Sequence, residues 1–222
     1  MPATVSRSAS PFVSSEVETR VRGIDVSRLR STRTGVGRLT AIAVLALALS
    51  ACGGGTRYRP VSDIPVRIGP PYTVRGVTYT PAADPDYDML GYATWYGNES
   101  GNQVANGEKF RPDWITAAHR TLPLPSYVEV TALDTGERIL VRVNDRGPFA
   151  SSSRIIDLSK GAAELLGVRA KGKAAVRVRV VQPSEKDRKR LRKGDAAKKL
   201  SPVKGRTLRN LQAQFARGVG PR

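Results

Sequence analysis

The chain has 222 residues, with 37 Lys+Arg against 19 Asp+Glu, a formal net charge of +18, one Cys and one His. One Cys excludes an internal disulfide framework and a multi-Cys zinc site, and one His excludes any mechanism that needs two imidazoles. At 40% hydrophobic and 6% aromatic the chain is not disordered throughout, its length suits one domain with tails, and few rings are available to stack on bases or sugars.

The N-terminus reads as an export signal. Arg33 and Arg38 precede the uncharged apolar run Ala41 to Leu49. That run suits a signal-peptide core and is too short to span a bilayer as a helix. It ends in Leu49-Ser50-Ala51-Cys52, followed by three glycines. This resembles the bacterial lipobox, which implies lipidation of Cys52 and anchoring to a membrane through the N-terminal lipid. The competing reading is a buried helix in which Cys52 packs as a small hydrophobe, but a Gly triplet ends a helix there. Residues 1–35 are long for a leader, so a true start near Val26 or Val36 is expected. Residues 1–51 are the signal segment and are set aside from the fold.

Residues 52–89 read as a tether plus a short pre-barrel element. Gly, Pro and Arg without periodicity mark 53–70 as the tether. Val74 and Gly76 within Pro71-Tyr-Thr-Val-Arg-Gly-Val-Thr-Tyr-Thr-Pro81 suggest a hairpin. From Leu90 the pattern changes. Tyr92 to Tyr96 is a strand candidate, Tyr127 to Leu133 and Arg138 to Val143 alternate around the turn Asp134-Thr-Gly-Glu137, and Val176, Val178 and Val180 alternate with arginines. Asp157 to Leu166 reads as a helix, with Asp157 or Ser159 as its cap and Gly167 as its end. Short strands with one short helix over residues 90–181 suit a small β-barrel.

Residues 182–222 carry 13 basic and 3 acidic residues, net +10. Glu185 to Lys193 can form a charged helix, but Pro202, Gly205, Gly218, Gly220 and Pro221 interrupt the rest. The segment reads as a basic, disordered tail, suited to polyanions such as acidic wall polymers.

Polar residues concentrate beside Gly and Pro in Gly91-Tyr-Ala-Thr-Trp-Tyr-Gly97, Ala105-Asn-Gly-Glu-Lys-Phe110, Thr116-Ala-Ala-His-Arg-Thr-Leu-Pro123 and Asn144-Asp-Arg-Gly-Pro-Phe149. Together with Arg154-Ile-Ile-Asp-Leu-Ser159, these segments in this order resemble the rare lipoprotein A family of bacterial peptidoglycan lytic transglycosylases. The likeness covers about residues 71–181. It implies a mostly β fold, a six-stranded double-psi β-barrel with one or two short helices, flanked here by disordered N- and C-terminal segments. It also implies an endolytic lyase, cutting between N-acetylmuramic acid and N-acetylglucosamine to leave 1,6-anhydro ends. The segment after Val181 is too short and too basic for the sporulation-related repeat that many members carry.

Glycosidic cleavage needs a proton donor at the leaving oxygen, and a hydrolase adds a second carboxylate. A lytic transglycosylase instead closes a ring with the substrate's own C6 hydroxyl, so one carboxyl can serve as acid and then base. By residue type alone Asp145 is a turn residue that caps its own backbone or pairs with Arg146, Glu108 is an exposed loop carboxylate, and His119 is a satisfied, partly buried histidine. The resemblance makes Asp145 the catalytic acid, Glu108 a second site carboxylate and His119 a site residue. Trp95, Tyr96, Asn106 and Arg146 are the candidate substrate contacts, with core packing the alternative for both rings. Trp114 is read the same way, and Asp157 as a helix cap. No metal or cofactor is implied. The expected partners are glycan strands and a membrane, with no nucleic acid, and the expected location is outside the cytoplasm, at the outer membrane if the host has one. The competing function is a non-catalytic, expansin-like wall-binding module.

Overall fold

The computed structural model describes residues 61–97 and 101–218. The segment expected to be an export signal, and Cys52, lie outside the described residues. Among those described, no helix is long and apolar enough to cross a membrane.

The pre-barrel hairpin forms as expected, with β1 (Tyr72–Val74) antiparallel to β2 (Val77–Tyr79). Six strands then close a barrel: β3 (Asp88–Tyr96), β4 (Thr116–Ala118), β5 (Ser126–Ala132), β6 (Arg138–Asp145), β7 (Arg154–Ser159) and β8 (Ala174–Val180). Their order around the barrel is β3-β7-β4-β6-β5-β8. The β3–β7 and β4–β6 pairs are parallel and the others antiparallel. This is the double-psi β-barrel.

Alternation decides what fills it. Ala93, Ala117, Val128, Val130, Val141, Val143, Ile156, Leu158, Val176 and Val178 are almost wholly buried inside the barrel. Burying each large aliphatic side chain is worth roughly 1.5–3 kcal/mol, so the interior accounts for much of the stability. The partners of these residues point outward, as with Glu129, which pairs with Arg138 and Arg179.

Two elements differ from the sequence reading. Residues 157–159 are the end of strand β7 (Arg154–Ser159) rather than the start of a helix, and α1 covers only Lys160–Leu165. Ser159 is its cap, accepting from the Ala162 amide, so Asp157 is not a cap. The β-branched pair Ile155-Ile156 favours strand, and the barrel needs this segment between β3 and β4.

The larger correction is the C-terminal segment. Residues 182–218 are not a disordered tail but wrap the barrel. Helix α2 (Glu185–Leu191) buries Leu191 completely, and α3 (Gly205–Ala216) buries Leu211. Leu208, Leu211 and Phe215 recur at i, i+3 and i+7, a sparse apolar stripe that the charge hides. Phe215 packs edge-on against Tyr92 at 5.1 Å. Between the helices Gly194 passes directly over the Trp114 ring, where an added Cβ would lie 2.3 Å from the indole. Trp114 is therefore core. The tether is docked too: the Val61 amide donates to the Arg192 carbonyl, and Arg67 and Leu124 exchange backbone hydrogen bonds.

Deleting residues 182–222 should therefore lower the melting temperature sharply. It uncovers Trp114 and removes two buried leucines, each worth roughly 1.5–3 kcal/mol. A truncated protein that melts with the full chain would show that the wrap carries no stability.

Candidate active site

The outer face of the barrel holds a row of residues in register. Thr94 on β3 pairs with Asp157 on β7, Asp157 with Ala118 on β4, and Ala118 with Asp145 on β6. Asp145 joins this row because of an irregularity. Thr116 and Ala117 pair with Arg142 and Val143, but Ala118 pairs with Asp145, skipping Asn144. Without that bulge, alternation would turn Asp145 inward behind Val143. A bulge at the end of a strand re-aims a side chain in this way.

Asp145 is half-buried. Its Oδ1 accepts from the Ala105 amide at 2.8 Å and from the Arg146 amide at 2.8 Å. Burial pushes its carboxyl above the usual range, against the pull of these two amides and of the Arg146 charge. Both amides land on Oδ1, which leaves Oδ2 as the oxygen to carry a proton. A carboxyl that is partly buried, held by one oxygen and raised in pKa is suited to general acid work.

Glu108 has a different environment. Arg142 Nη1 and Nη2 donate to its two oxygens at 2.8 and 2.7 Å, Asn144 Nδ2 donates at 3.0 Å and Asn106 Nδ2 at 2.8 Å. Burial alone would raise its pKa, but the hydrogen bonds and charge of Arg142, with Asn144 and Asn106, hold it below the ordinary value. Glu108 is thus an ionised anchor. Arg142 is fully buried and also donates from Nε to Asp63 at 3.0 Å. Asp63 accepts from Tyr127, and Arg192, just past the C-terminus of α2, donates to it at 2.9 Å. The chain Asp63–Arg142–Glu108–Asn106 therefore ties the tether and the C-terminal wrap to the loop whose Ala105 amide holds Asp145. Sequence inspection missed Asp63 and Arg142. The one available signal was an arginine on β6 at a position where the neighbouring residues are aliphatic.

His119 is buried, and its Nδ1 accepts from the amides of Thr121 and Leu122 at 3.2 and 3.1 Å. That places its proton on Nε2. Its ring meets Tyr87 edge-on at 4.8 Å, and its own amide donates to the Asp145 carbonyl. It shapes the turn after β4 and holds the backbone of Asp145. Burial, with Arg146 and Arg120 nearby, lowers its pKa from 6.5 to about 3. The unfolded chain therefore binds a proton that the fold excludes. Stability is full above pH 6.5 and is lost as pH falls toward 3, at up to about 1.4 kcal/mol per pH unit. His119→Asn keeps an acceptor for the two amides and should flatten the acid limb of a melting-temperature profile across that window. An unchanged limb would show that His119 is not held neutral.

The remaining candidates divide. Asn106 closes the Glu108 turn on itself, accepting from the Glu108 amide at 3.1 Å. The Arg146 guanidinium donates to the carbonyls of Leu122 at 2.6 Å and Ile68 at 3.0 Å, so it staples the tether rather than pairing with the Asp145 carboxylate. Tyr96 stacks on Phe110 at 5.1 Å, and burial with the charges of Asp145 and Asp157 raises its phenol pKa. Trp95 alternates to the inner face, packs on the core, and donates from Nε1 to the Arg169 carbonyl. It does not share the outer row with Asp145. Among the described residues no group of three or more His, Cys, Asp or Glu is placed to hold a metal.

Residues 88–178, which take in most of the barrel, match the lytic transglycolase family. The chain is 54% identical over 115 residues to a protein of Pseudomonas aeruginosa named endolytic peptidoglycan transglycosylase RlpA, covering 51% of this chain and 33% of that one. It is 42% identical over 116 residues to the protein of the same name from Rickettsia bellii, covering 50% and 51%. The matched segment thus spans a third to about half of the curated relatives. A solved expansin of Clavibacter michiganensis is similar over 44% of this chain and 52% of that one, at 20% identity and a TM-score of 0.35.

Proposed function

We propose, from the premise that residues 88–178 form a lytic transglycolase domain, that the protein is an endolytic peptidoglycan lytic transglycosylase with Asp145 as its acid. The observation that carries this reading is the Asp145 carboxyl itself, raised in pKa by burial and gripped through one oxygen by two amides. The names of the relatives support the substrate class.

In this mechanism the protonated Asp145 gives its proton to the oxygen linking N-acetylmuramic acid to N-acetylglucosamine. The bond from C1 to that oxygen breaks, and the electron pair leaves with the oxygen. The C6 hydroxyl of the same muramyl residue then bonds to C1 and returns its proton to Asp145. Water is not consumed. Glu108 stays ionised throughout and holds the loop that positions the acid.

The test is purified protein on isolated sacculi, with mass spectrometry of the released fragments. Anhydromuramyl ends are expected. Reducing ends would mean a hydrolase, and binding without release would favour the wall-binding module.

The full chain is further proposed to be exported and anchored through lipidated Cys52, with the basic residues of the wrap facing acidic wall polymer. The motif Leu49-Ser50-Ala51-Cys52 supports this. Cys52→Ser should leave an unlipidated precursor, and unchanged mature mass and membrane fractionation would overturn the anchor.

A further inference from the structure

We infer that Asp157 is a second catalytic carboxylate, facing Asp145 across Ala118 and stabilising positive charge at the muramyl anomeric carbon. The inference rests on the proposed transglycosylase reaction and adds a residue to it.

The geometry follows from register. Asp157 and Asp145 each pair with Ala118, one from β7 and one from β6. Side chains directly opposite one another on adjacent strands point to the same face. The two carboxyls therefore rise from the same outer surface, two strand spacings or about 10 Å apart at Cα. In register, the residue between them is Ala118, whose side chain is a single methyl. The gap is kept open by Gly147, whose added Cβ would sit 3.6 Å from the Ala118 Cβ and 3.9 Å from Asp157 Oδ2. Any larger residue there would fill the space between the two acids. Gly147 also has φ +145, which L side chains rarely adopt.

Asp157 is held as firmly as Asp145. Thr94 Oγ1 donates to its Oδ1 at 2.6 Å, and Arg154 Nη1 in turn donates to Thr94 Oγ1 at 2.7 Å. Arg154 Nη2 lies 3.6 Å from Oδ2. Thr94 thus accepts from Arg154 and donates to the carboxylate, linking the three side chains in one relay. That relay aims Asp157 without neutralising it. Burial holds its carboxyl above the ordinary value, as it does that of Asp145, against the smaller opposing pull of Thr94, Arg154 and Arg120. Tyr96 stands near both acids. None of these contacts caps a helix, the only role the sequence suggested for Asp157.

The proposed chemistry offers such a group a task. As the C1–oxygen bond breaks with a proton from Asp145, C1 and the ring oxygen share a positive charge. A carboxylate on the far side of the sugar lowers the energy of that state. It is not needed for proton transfer, since the C6 hydroxyl returns its proton to Asp145. On this inference the two acids have separate tasks: Asp145 carries the proton, and Asp157, with Arg154 3.6 Å from its Oδ2, carries the charge. Fixed charge aimed at a developing charge in a site shielded from water is worth roughly 10²–10³ in rate.

The test is Asp157→Asn assayed for release of anhydromuropeptides from sacculi. The amide keeps the size and still accepts from Thr94, so melting temperature and sacculus binding should match wild type. The expected result is a fall in kcat of about 100-fold or more, with KM little changed. Near wild-type kcat would overturn the inference, as would a loss explained by weaker sacculus binding alone. Should Asp157→Asn melt early, Thr94→Val removes the aiming bond without touching the carboxyl. It should lower kcat about tenfold, and an unchanged kcat would overturn the inference. If wild type binds sacculi and releases nothing, the transglycosylase reading fails, and this inference with it. A failure confined to the two variants leaves that reading standing.

Discussion

Asp145→Asn should abolish the release of anhydromuropeptides while leaving the fold intact. The amide oxygen accepts the Ala105 and Arg146 amides as the Oδ1 oxygen does now. The backbone carbonyl still takes the His119 amide, and the bulge that turns residue 145 outward is a backbone feature. What is lost is the proton. General acid catalysis contributes typically about 10²–10⁴-fold, and a loss of that size is expected in kcat. A half-buried carboxyl also sheds desolvation cost when it becomes an amide, so the melting temperature should hold or rise slightly. The pH dependence has a definite sign. The acid must be protonated, its pKa is raised, and wild-type activity should therefore persist above the ordinary Asp range and decline as pH rises further. A folded Asp145→Asn protein that cleaves at near wild-type rate would move the acid role elsewhere on the outer face.

Where alternation or a turn signal was strong, the chain could be read directly. The Val-Arg repeat of β8 and the Asp134 to Glu137 turn are where periodicity placed them. The strand β4 was invisible because three residues carry no period. The strand β7 was hidden because Asp157-Leu-Ser-Lys-Gly-Ala-Ala matches a capped helix as well as it matches a strand end. The C-terminal wrap was misread for a different reason. Its charge density suggested solvation, yet a segment needs only a few apolar anchors when a barrel already presents a surface to receive them, as Leu191, Gly194 and Leu211 show.

The residues of the candidate site could be picked out by motif, but not their contacts. Asp145, Glu108 and His119 are brought near one another by β4, β6 and the 104–108 loop. Their tasks depend on partners that lie far apart in sequence. Glu108 is an anchor because of Arg142 and Asn144, and His119 is a turn residue because its acceptor nitrogen is used by two amides. Asp157 becomes a site residue only once register sets it opposite Ala118.

Arg142→Met should be the most destabilising single change near the site. Arg142 is fully buried, with Glu108 on one side and Asp63 on the other. Removing one partner of a buried charged cluster typically costs roughly 3–5 kcal/mol, because the others are left uncompensated. Asp63 retains Arg192 and Tyr127, so the deficit falls mainly on Glu108, which keeps only Asn144 and Asn106. For a chain of this size the loss corresponds to a melting-temperature drop on the order of 10 °C. The pH dependence separates this from a simple packing defect. In wild type both carboxyls are lowered from 3.8 and 4.5, so their contribution is present above those values and is lost as pH falls through the folded pKa values. Without Arg142, burial raises Glu108 instead, and the variant gains stability relative to wild type as acid protonates it. The gap in melting temperature should begin to narrow above pH 4.5, as the raised Glu108 of the variant takes up its proton, and narrow further below 4.5 as the wild type loses its own contribution. Adding Glu108→Gln to Arg142→Met should recover part of the loss at neutral pH, since a neutral amide costs far less to bury than a lone carboxylate. Cleavage should fall in Arg142→Met even where the protein is folded, because the loop that presents the Ala105 amide to Asp145 loses its anchor. A gap that stays constant with pH, with no recovery in the double variant, would show that Arg142 contributes packing rather than charge.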